Sequence, residues 1–358
     1  MTYTAKLISA DNKKELSDFL SLPKRLYPKN EIMQDRAEEK ALLYESHILS
    51  RYFRVFPIIA LDENKKIAAR CVITIYSDRS CAYFGFFESI NDIKAAETLM
   101  KLAESIANKE GKTSIVGPVD CSFWIRYRLK INNFGSPYTG EPYNLDYYEN
   151  LLSSCGFSSF GEYISNQYGR IPAEYSDGRF SRRLPQFTEK GYILKSPDKT
   201  TFECSLREIY HLIMELYSDF QTFSPITENE FTELYSPLKK IVDYSMVKVA
   251  YFHGEAVGFF VSVPDFGNAI RGSLTPLKLL KILSTKKKCK QYILLYLGIK
   301  PEHKGLGKAL SESLCQNLAD NGANSVGALI REGKVNGSYF SKLIKRTYNY
   351  RLYNKSIV

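Results

Sequence analysis

Two passages of this 358-residue chain run through the same order of strands and helices, and that repetition limits the fold more than any other feature. In the first passage TYTAKLIS reads as a strand and Asn12 to Leu20 as a helix. RVFPIIALD and KKIAARCVITIY flank Glu63-Asn64-Lys65, the pattern of a hairpin. CAYFGFFESI is a further strand, and Asp92 to Lys109 carries Ala95, Leu99, Leu102 and Ile106 at helical spacing. TSIVGPVD (strand), Tyr147 to Ser154 (short helix) and FSSFGEYISNQYG (strand) complete it.

The second passage repeats the plan. GYILKS is a strand, Cys204 to Phe220 a helix, and MVKVAYF with EAVGFFVSV a hairpin around His253-Gly254. Tyr292 to Ile299 is a strand and Lys308 to Asn321 a helix. NSVGALI, Asn336 to Lys345 and YNYRLYN read as strand, short helix and strand. Each passage is therefore β-α-β-β-β-α-β-α-β. Hairpins demand antiparallel pairs and strand-helix-strand crossovers a parallel one. An α/β chain of two lobes follows, each a mixed sheet flanked by helices. The junction falls in IPAEYSDGRFSRRLPQFTEKG, rich in Pro, Gly and charge, and is placed near Leu184 to Gly191, giving lobes 1–185 and 186–358.

The composition removes several other classes. Apolar content of 44% and charged content of 25% suit a globular core that needs no metal or disulfide staple. The seven cysteines include no CxxC pair and the four histidines are scattered, so neither a zinc site nor a disulfide framework is expected. The start, MTYTAKLISADNKKE, lacks the apolar run of a signal peptide, and no stretch of about 18 apolar residues exists. The expectation is a cytoplasmic protein with reduced thiols and no membrane span. Whether it is a monomer or a dimer is left open.

The charge is uneven. Lys plus Arg exceed Asp plus Glu by 49 to 39, a formal +10. Ten basic residues lie between Gly267 and Lys308, where Glu302 is the only acid. This cluster either attracts a polyanion or forms a solvated basic face. No nucleic-acid motif accompanies it, so no specific nucleic-acid partner is expected. Beside it runs QYILLYLGIKPEHKGLGKALSESLCQNLADN, a strand that turns through Lys304-Gly305-Leu306-Gly307-Lys308 into a helix. A helix start offers unpaired backbone N–H groups, and glycines let a phosphate approach them.

The element order and the run Pro301-Glu302-His303-Lys304-Gly305-Leu306-Gly307-Lys308-Ala309 together resemble the GNAT superfamily of CoA-dependent N-acetyltransferases. That family's motif is Arg/Gln-x-x-Gly-x-Gly/Ala. Lys304 takes the first position, keeping the charge but losing the planar fork of Arg. Gly307 and Ala309 take the other two. The resemblance implies that the main-chain amides between Lys304 and Leu310, with Lys304, Gly305, Leu306, Gly307, Lys308 and Ala309 as the binding residues, cradle the pyrophosphate of acetyl-CoA or another acyl-CoA. It implies that the strand Leu295 to Ile299 lies along the pantetheine arm, with the thioester near Leu297 and Gly298. The family's final motif resembles Asn336-Gly337-Ser338-Tyr339-Phe340, and Asn336 joins the binding set by that likeness. The family's thiolate-protonating Tyr falls at Leu343 in a gapless alignment. Tyr339, one helical turn earlier, either substitutes for it or packs in the core.

The first passage lacks the turn, since CAYFGFFES continues as INDIKAAETLM. It resembles a degenerate GNAT lobe, and the pairing resembles a bacterial group of tandem GNAT-like proteins. For the acceptor, the candidates are the loop Gln221 to Pro225, Glu88, and the loop Gly140 to Asn144. Ser89 or Asn91 reads as capping chemistry for the helix that follows Glu88. The segment Ile270 to Leu283 reads as a basic amphipathic helix: a lid, a membrane-surface contact or a packing element. The implied activity is N-acyl transfer, acetyl by the family's habit, to an amine that attacks the thioester directly. Two alternatives stand beside it: a Fem-like transferase using aminoacyl-tRNA, and a CoA-binding sensor without catalysis.

Overall fold

The computed structural model describes residues 1–172, 175, 180, 182–271, 275–334, 337 and 339–357, and these form two compact units. The first unit holds the chain through Tyr163, with Arg271 and the residues from Asn349 on. Its elements are β1 (Thr4–Leu7), α1 (Lys13–Leu26), α2 (Arg36–Leu43), β2 (Arg54–Leu61), β3 (Ile67–Ile75), β4 (Cys81–Ser89), α3 (Ile93–Lys109), β5 (Ser114–Gly117), β6 (Leu129–Lys130), α4 (Tyr148–Ser154) and the start of β7 (Ser158–Tyr168). Strands β1 to β4 pair antiparallel in chain order, and β4 pairs β5 in parallel.

All nine residues of β3 are buried, which is why IAARCVITI reads as a continuous run rather than an alternating one. The one charged residue in the run, Arg70, is compensated at its terminal nitrogens, although its buried Nε has no hydrogen-bond partner. Its guanidinium pairs with Glu39 of α2, donates to the Phe19 carbonyl at 3.0 Å and lies 4.5 Å from the Phe19 ring centre. Helix α3 lays Ala95, Ala96, Leu99, Met100, Ala103 and Ala107 against the sheet. Its alanines permit close approach, and each larger side chain contributes roughly 1.5–3 kcal/mol by burial.

The second unit comprises Ile164–Ile270 and Thr275–Tyr348. It contains the rest of β7, then α5 (Arg183–Glu189), β8 (Ile193–Lys195), α6 (Phe202–Leu216), α7 (Glu228–Tyr235), β9 (Val247–Phe252), β10 (Glu255–Pro264), α8 (Pro276–Lys287), β11 (Gln291–Ile299), α9 (Leu306–Asp320), β12 (Asn324–Arg331) and the start of β13 (Ile344–Ser356). Its sheet order is β7-β12-β11-β10-β9-β8, with β11 and β12 parallel and the four strands from β8 to β11 antiparallel. His253 and Gly254 both have positive φ, the tight hairpin turn expected between β9 and β10. Helix α9 buries Leu306, Ala309, Leu310, Leu314 and Leu318 on one face.

Three differences from the sequence reading have plain causes. The expected helix from Asn336 to Lys345 does not form among its described residues. Phe340 has φ 51°, which stops a helix, Ser341–Leu343 is a single 3₁₀ turn, and Ile344 already begins β13. Helix α3 is capped by Asp92, not by Ser89 or Asn91. The far end of the sequence, from Asn349, belongs to the first unit, where Tyr353 pairs with Gly117 of β5 and Tyr350 with Lys130 of β6. Mixed α/β units built on a mixed sheet with flanking helices are the architecture that the repeat demanded.

Candidate functional site

The site grows from the way β11 hands over to α9. Pro301–His303 forms one 3₁₀ turn, and Gly305 then takes φ 97°, a left-handed conformation costly for any residue with a side chain. That reversal starts α9 at Leu306 with no side-chain hydrogen bond capping its end. The Lys308 amide donates to the Gly305 carbonyl at 3.0 Å, whereas the amides of Leu306 and Gly307 have no partner among the described residues. Unpaired amides at a buried helix start demand an acceptor, and the helix dipole favours a negative one. Lys304 is exposed and Lys308 half-exposed on either side of Gly305 and Gly307.

The glycines around this turn are not equally constrained by space. A Cβ added to Gly307 would meet only ordinary contacts, Ile299 at 3.6 Å, the Tyr339 hydroxyl at 3.7 Å and Leu297 at 3.9 Å. Gly298 has a different reason: a Cβ there would strike the Phe259 ring at 2.5 Å. Ala309, the last motif position, is fully buried on the inner face of α9. Leu297, Gly298 and Ile299 pair with Phe260, Phe259 and Gly258 of β10. The Tyr217 hydroxyl donates to the Leu297 carbonyl at 3.3 Å.

A cleft opens beside that strand. Strands β11 and β12 are paired only from Gln291–Asn324 to Leu294–Gly327, although both run on past that point. Two local features part them. The β10–β11 register slips after Val261, leaving Leu295 without a partner in β10. Leu329 of β12 has φ 58°, a rare conformation for a bulky residue, and its amide turns to the Ser165 hydroxyl at 2.8 Å. The space encloses about 680 Å³, some of it open to solvent, with a lining that is mostly apolar and includes Leu295, Leu297, Leu314, Leu318 and Ile330.

Tyr339 borders both the cleft and the first turn of α9. Its ring meets Phe180 edge-on at 4.9 Å, and its hydroxyl has no hydrogen-bond partner among the described residues. Burial raises its pKa, so the phenol stays protonated at neutral pH and can give a proton but not take one. Cys315 also lines the cleft, and burial pushes its thiol up to about 12, which leaves almost no thiolate. The structure thus brings together Leu297, Gly298, Ile299, Gly305, Leu306, Gly307, Lys308 and Tyr339. Asn336 lies outside the described residues.

The first unit treats the equivalent places differently. Asp92 caps α3, accepting from the Lys94 amide and, at 2.8 Å, from the Tyr3 hydroxyl. The gap past the β4–β5 pairs is filled by backbone: the Val119 amide donates to the Phe84 carbonyl at 2.7 Å, and a Cβ on Gly85 would lie 2.1 Å from the Val119 oxygen. Two acceptor candidates do meet here. Glu88, Tyr143 and Asn144 line one small polar cavity with Asp120, Arg126 and Arg128. Glu88 is 7% exposed and accepts from the Tyr27 and Tyr148 hydroxyls at 2.8 and 2.7 Å. Burial raises its pKa, although the Arg70 charge and the two tyrosines act the other way. Glu141, from the same candidate loop, is instead tied to Lys130 at 2.7 Å and Tyr350 at 2.6 Å. Sequence reasoning missed Arg126 and Arg128, which no local pattern marks.

Comparison with known proteins agrees with this architecture. No family model matches the chain. A tandem GNAT protein from the clavulanic acid biosynthesis pathway superposes over 100% of this chain and 99% of its own, with TM-score 0.54 and 9% identity. The glucosamine N-acetyltransferase region of a fungal multi-domain β-N-acetylglucosaminidase covers 99% of this chain at TM-score 0.53 and 13% identity, over 38% of that protein. The chain has the GNAT acyl-CoA N-acyltransferase fold in tandem. In sequence it is 26% identical over 208 residues to the bacterial ceramide synthase of Caulobacter vibrioides, covering 56% of this chain and 53% of that protein. It thus spans about half the length of the curated relative it matches.

Proposed function

We propose that this chain is an acyl-CoA-dependent N-acyltransferase whose second unit carries the reaction. The observation that carries the reading is the uncapped start of α9 opening beside the cleft between the parted β11 and β12. Its fit to a diphosphate rests on the left-handed turn at Gly305 and the unpaired amides of Leu306 and Gly307. Lys304 and Lys308 add positive charge there. The strand from Leu297 to Ile299 is the wall for the pantetheine arm. Acyl-CoA supplies the activated carbonyl. Tyr339 is the proton donor to the departing sulfur, a role supported by its place on the cleft wall beside Gly307 and by a hydroxyl with no partner among the described residues. Direct attack by a neutral amine fits better than a covalent enzyme intermediate, because the cleft's cysteine is held as a thiol. In this reading the first unit binds no CoA, since Asp92 and Val119 occupy the equivalent places.

The family habit is acetyl transfer. The relative's name points to a ceramide, an N-acyl amide of a long-chain amino alcohol, and the cleft's leucines support an acyl chain longer than acetyl. The decisive experiment measures thiol release from acetyl-, octanoyl- and palmitoyl-CoA with short and long-chain amino alcohols. We expect turnover with at least one pair, and a raised melting temperature with CoA alone. A melting temperature unmoved by every CoA species would remove the basis of the proposal. Binding without turnover would favour the sensor.

A further inference from the structure

Helix α8 makes an unusual surface. Leu277, Leu279, Leu280 and Leu283 are 80%, 42%, 63% and 46% exposed, while Ile282 alone on the helix is fully buried at 1%. At 3.6 residues per turn, Leu277 and Leu280 stand roughly opposite Ile282, and Lys281 and Lys287 flank them on the outer face. The helix therefore anchors through Ile282, with Lys286 donating to the Lys240 carbonyl and lying over the Tyr244 ring, and turns Leu277 and Leu280 outward. Exposed leucines usually occur singly, and a stripe of them marks a contact surface. The charge around the stripe is one-sided. Lys281, Lys287, Lys288 and Lys290 are exposed, and no acid occurs from Arg271 through Lys300.

We propose that α8 docks this protein on an anionic lipid bilayer, its leucines entering the headgroup boundary and its lysines meeting lipid phosphates. The charge argues for this occupant. A second copy of the helix would bring lysines against lysines, and a neutral apolar groove would leave them uncompensated. A membrane surface rewards both halves of the pattern, with attraction that falls over a Debye length. The inference stands whether or not the chain transfers acyl groups.

The test uses the full chain and vesicles of phosphatidylcholine alone or with phosphatidylglycerol, read by co-sedimentation. Binding is expected only with phosphatidylglycerol and should weaken as salt rises. The substitutions Leu277→Ser with Leu280→Ser, at exposed positions, should weaken it about tenfold or more, and Lys281→Glu with Lys287→Glu by at least about fivefold per lysine. Circular dichroism melts matching the parent establish that each variant folds. Equal binding by parent and both variants would overturn the proposal, as would failure of the parent to sediment with anionic vesicles. A dimer that the leucine substitutions dissolve, without any vesicle binding, would assign the face to a second copy instead.

Discussion

Helices α3 and α9 leave the same kind of strand, yet one start is closed and the other open. At α3 the chain supplies its own anion: the Asp92 carboxylate covers the first amides and holds the Tyr3 hydroxyl. Burial acts upward on Asp92, but the hydrogen bonds from Tyr3 and the Lys94 amide keep it below the ordinary carboxylate value. At α9 the same place is Gly305, and the amides of Leu306 and Gly307 beyond it have no acceptor among the described residues. The gap behind each helix follows suit. Val119 and Asp120 thread the first, whereas in the second the strands part around an apolar cleft. The tyrosines differ likewise. Tyr27 and Tyr148 are committed to Glu88, while the Tyr339 hydroxyl is uncommitted among the described residues. One fold can thus be a scaffold or a receptor, depending on whether its own atoms fill the anion position.

The strongest way to break this contrast is to copy the closed start onto the open one. Gly305→Asp places a carboxylate where a diphosphate is proposed. Two unit charges about 4 Å apart repel by about 4 kcal/mol at a surface-like dielectric, so CoA affinity should fall roughly 10³-fold in a calorimetric titration. Unchanged affinity would show that the turn is not the anion site. Next in size, Tyr339→Phe should lower kcat about 10²-fold and leave KM near its parent value. A change in KM alone would make Tyr339 a wall of the cleft rather than a proton donor.

The reverse exchange should do little. Asp92→Ala removes the α3 cap at a cost of about 1 kcal/mol in a urea melt. It should create no second CoA site, because the backbone at Val119 still fills the gap. A stoichiometry of two would show that the cap alone kept the first unit closed. The smallest effect concerns Glu88. Its folded pKa is raised, so the folded state keeps a proton that the unfolded chain releases. The resulting stability is complete below the ordinary glutamate value and is lost as pH climbs through the folded one. Glu88→Gln carries no such proton. Its melting temperature should exceed the parent's at pH 8, and the gap should close near pH 4. A constant gap would contradict a buried, proton-holding carboxylate.

Much of this contrast was readable in the residues. Lys304-Gly305-Leu306-Gly307 after an apolar strand is local information, since a helix start and its glycines are set by neighbours in the chain. The hairpins were legible for the same reason. What escaped depends on distant contacts. Helix α5 is held by Phe187, whose ring would lie 3.5 Å from a Cβ added to Gly305, and by Glu312 of α9, which accepts from the Leu184 amide at 2.7 Å. No pattern within Arg183–Glu189 announces either partner. The helix expected at Asn336 failed because its propensity was overruled at Phe340 by backbone in a left-handed turn. Glu88 and Tyr143 were each singled out, but only tertiary structure places them on one cavity.

Tyr350 is fully buried in the first unit, where its hydroxyl meets Glu141 and Tyr138, and its neighbours complete the sheet beside β5. On a ribosome, β5 would therefore wait with one edge unpaired until roughly 230 further residues had emerged to supply its β13 partner. That edge is therefore completed late, by a strand far along the chain.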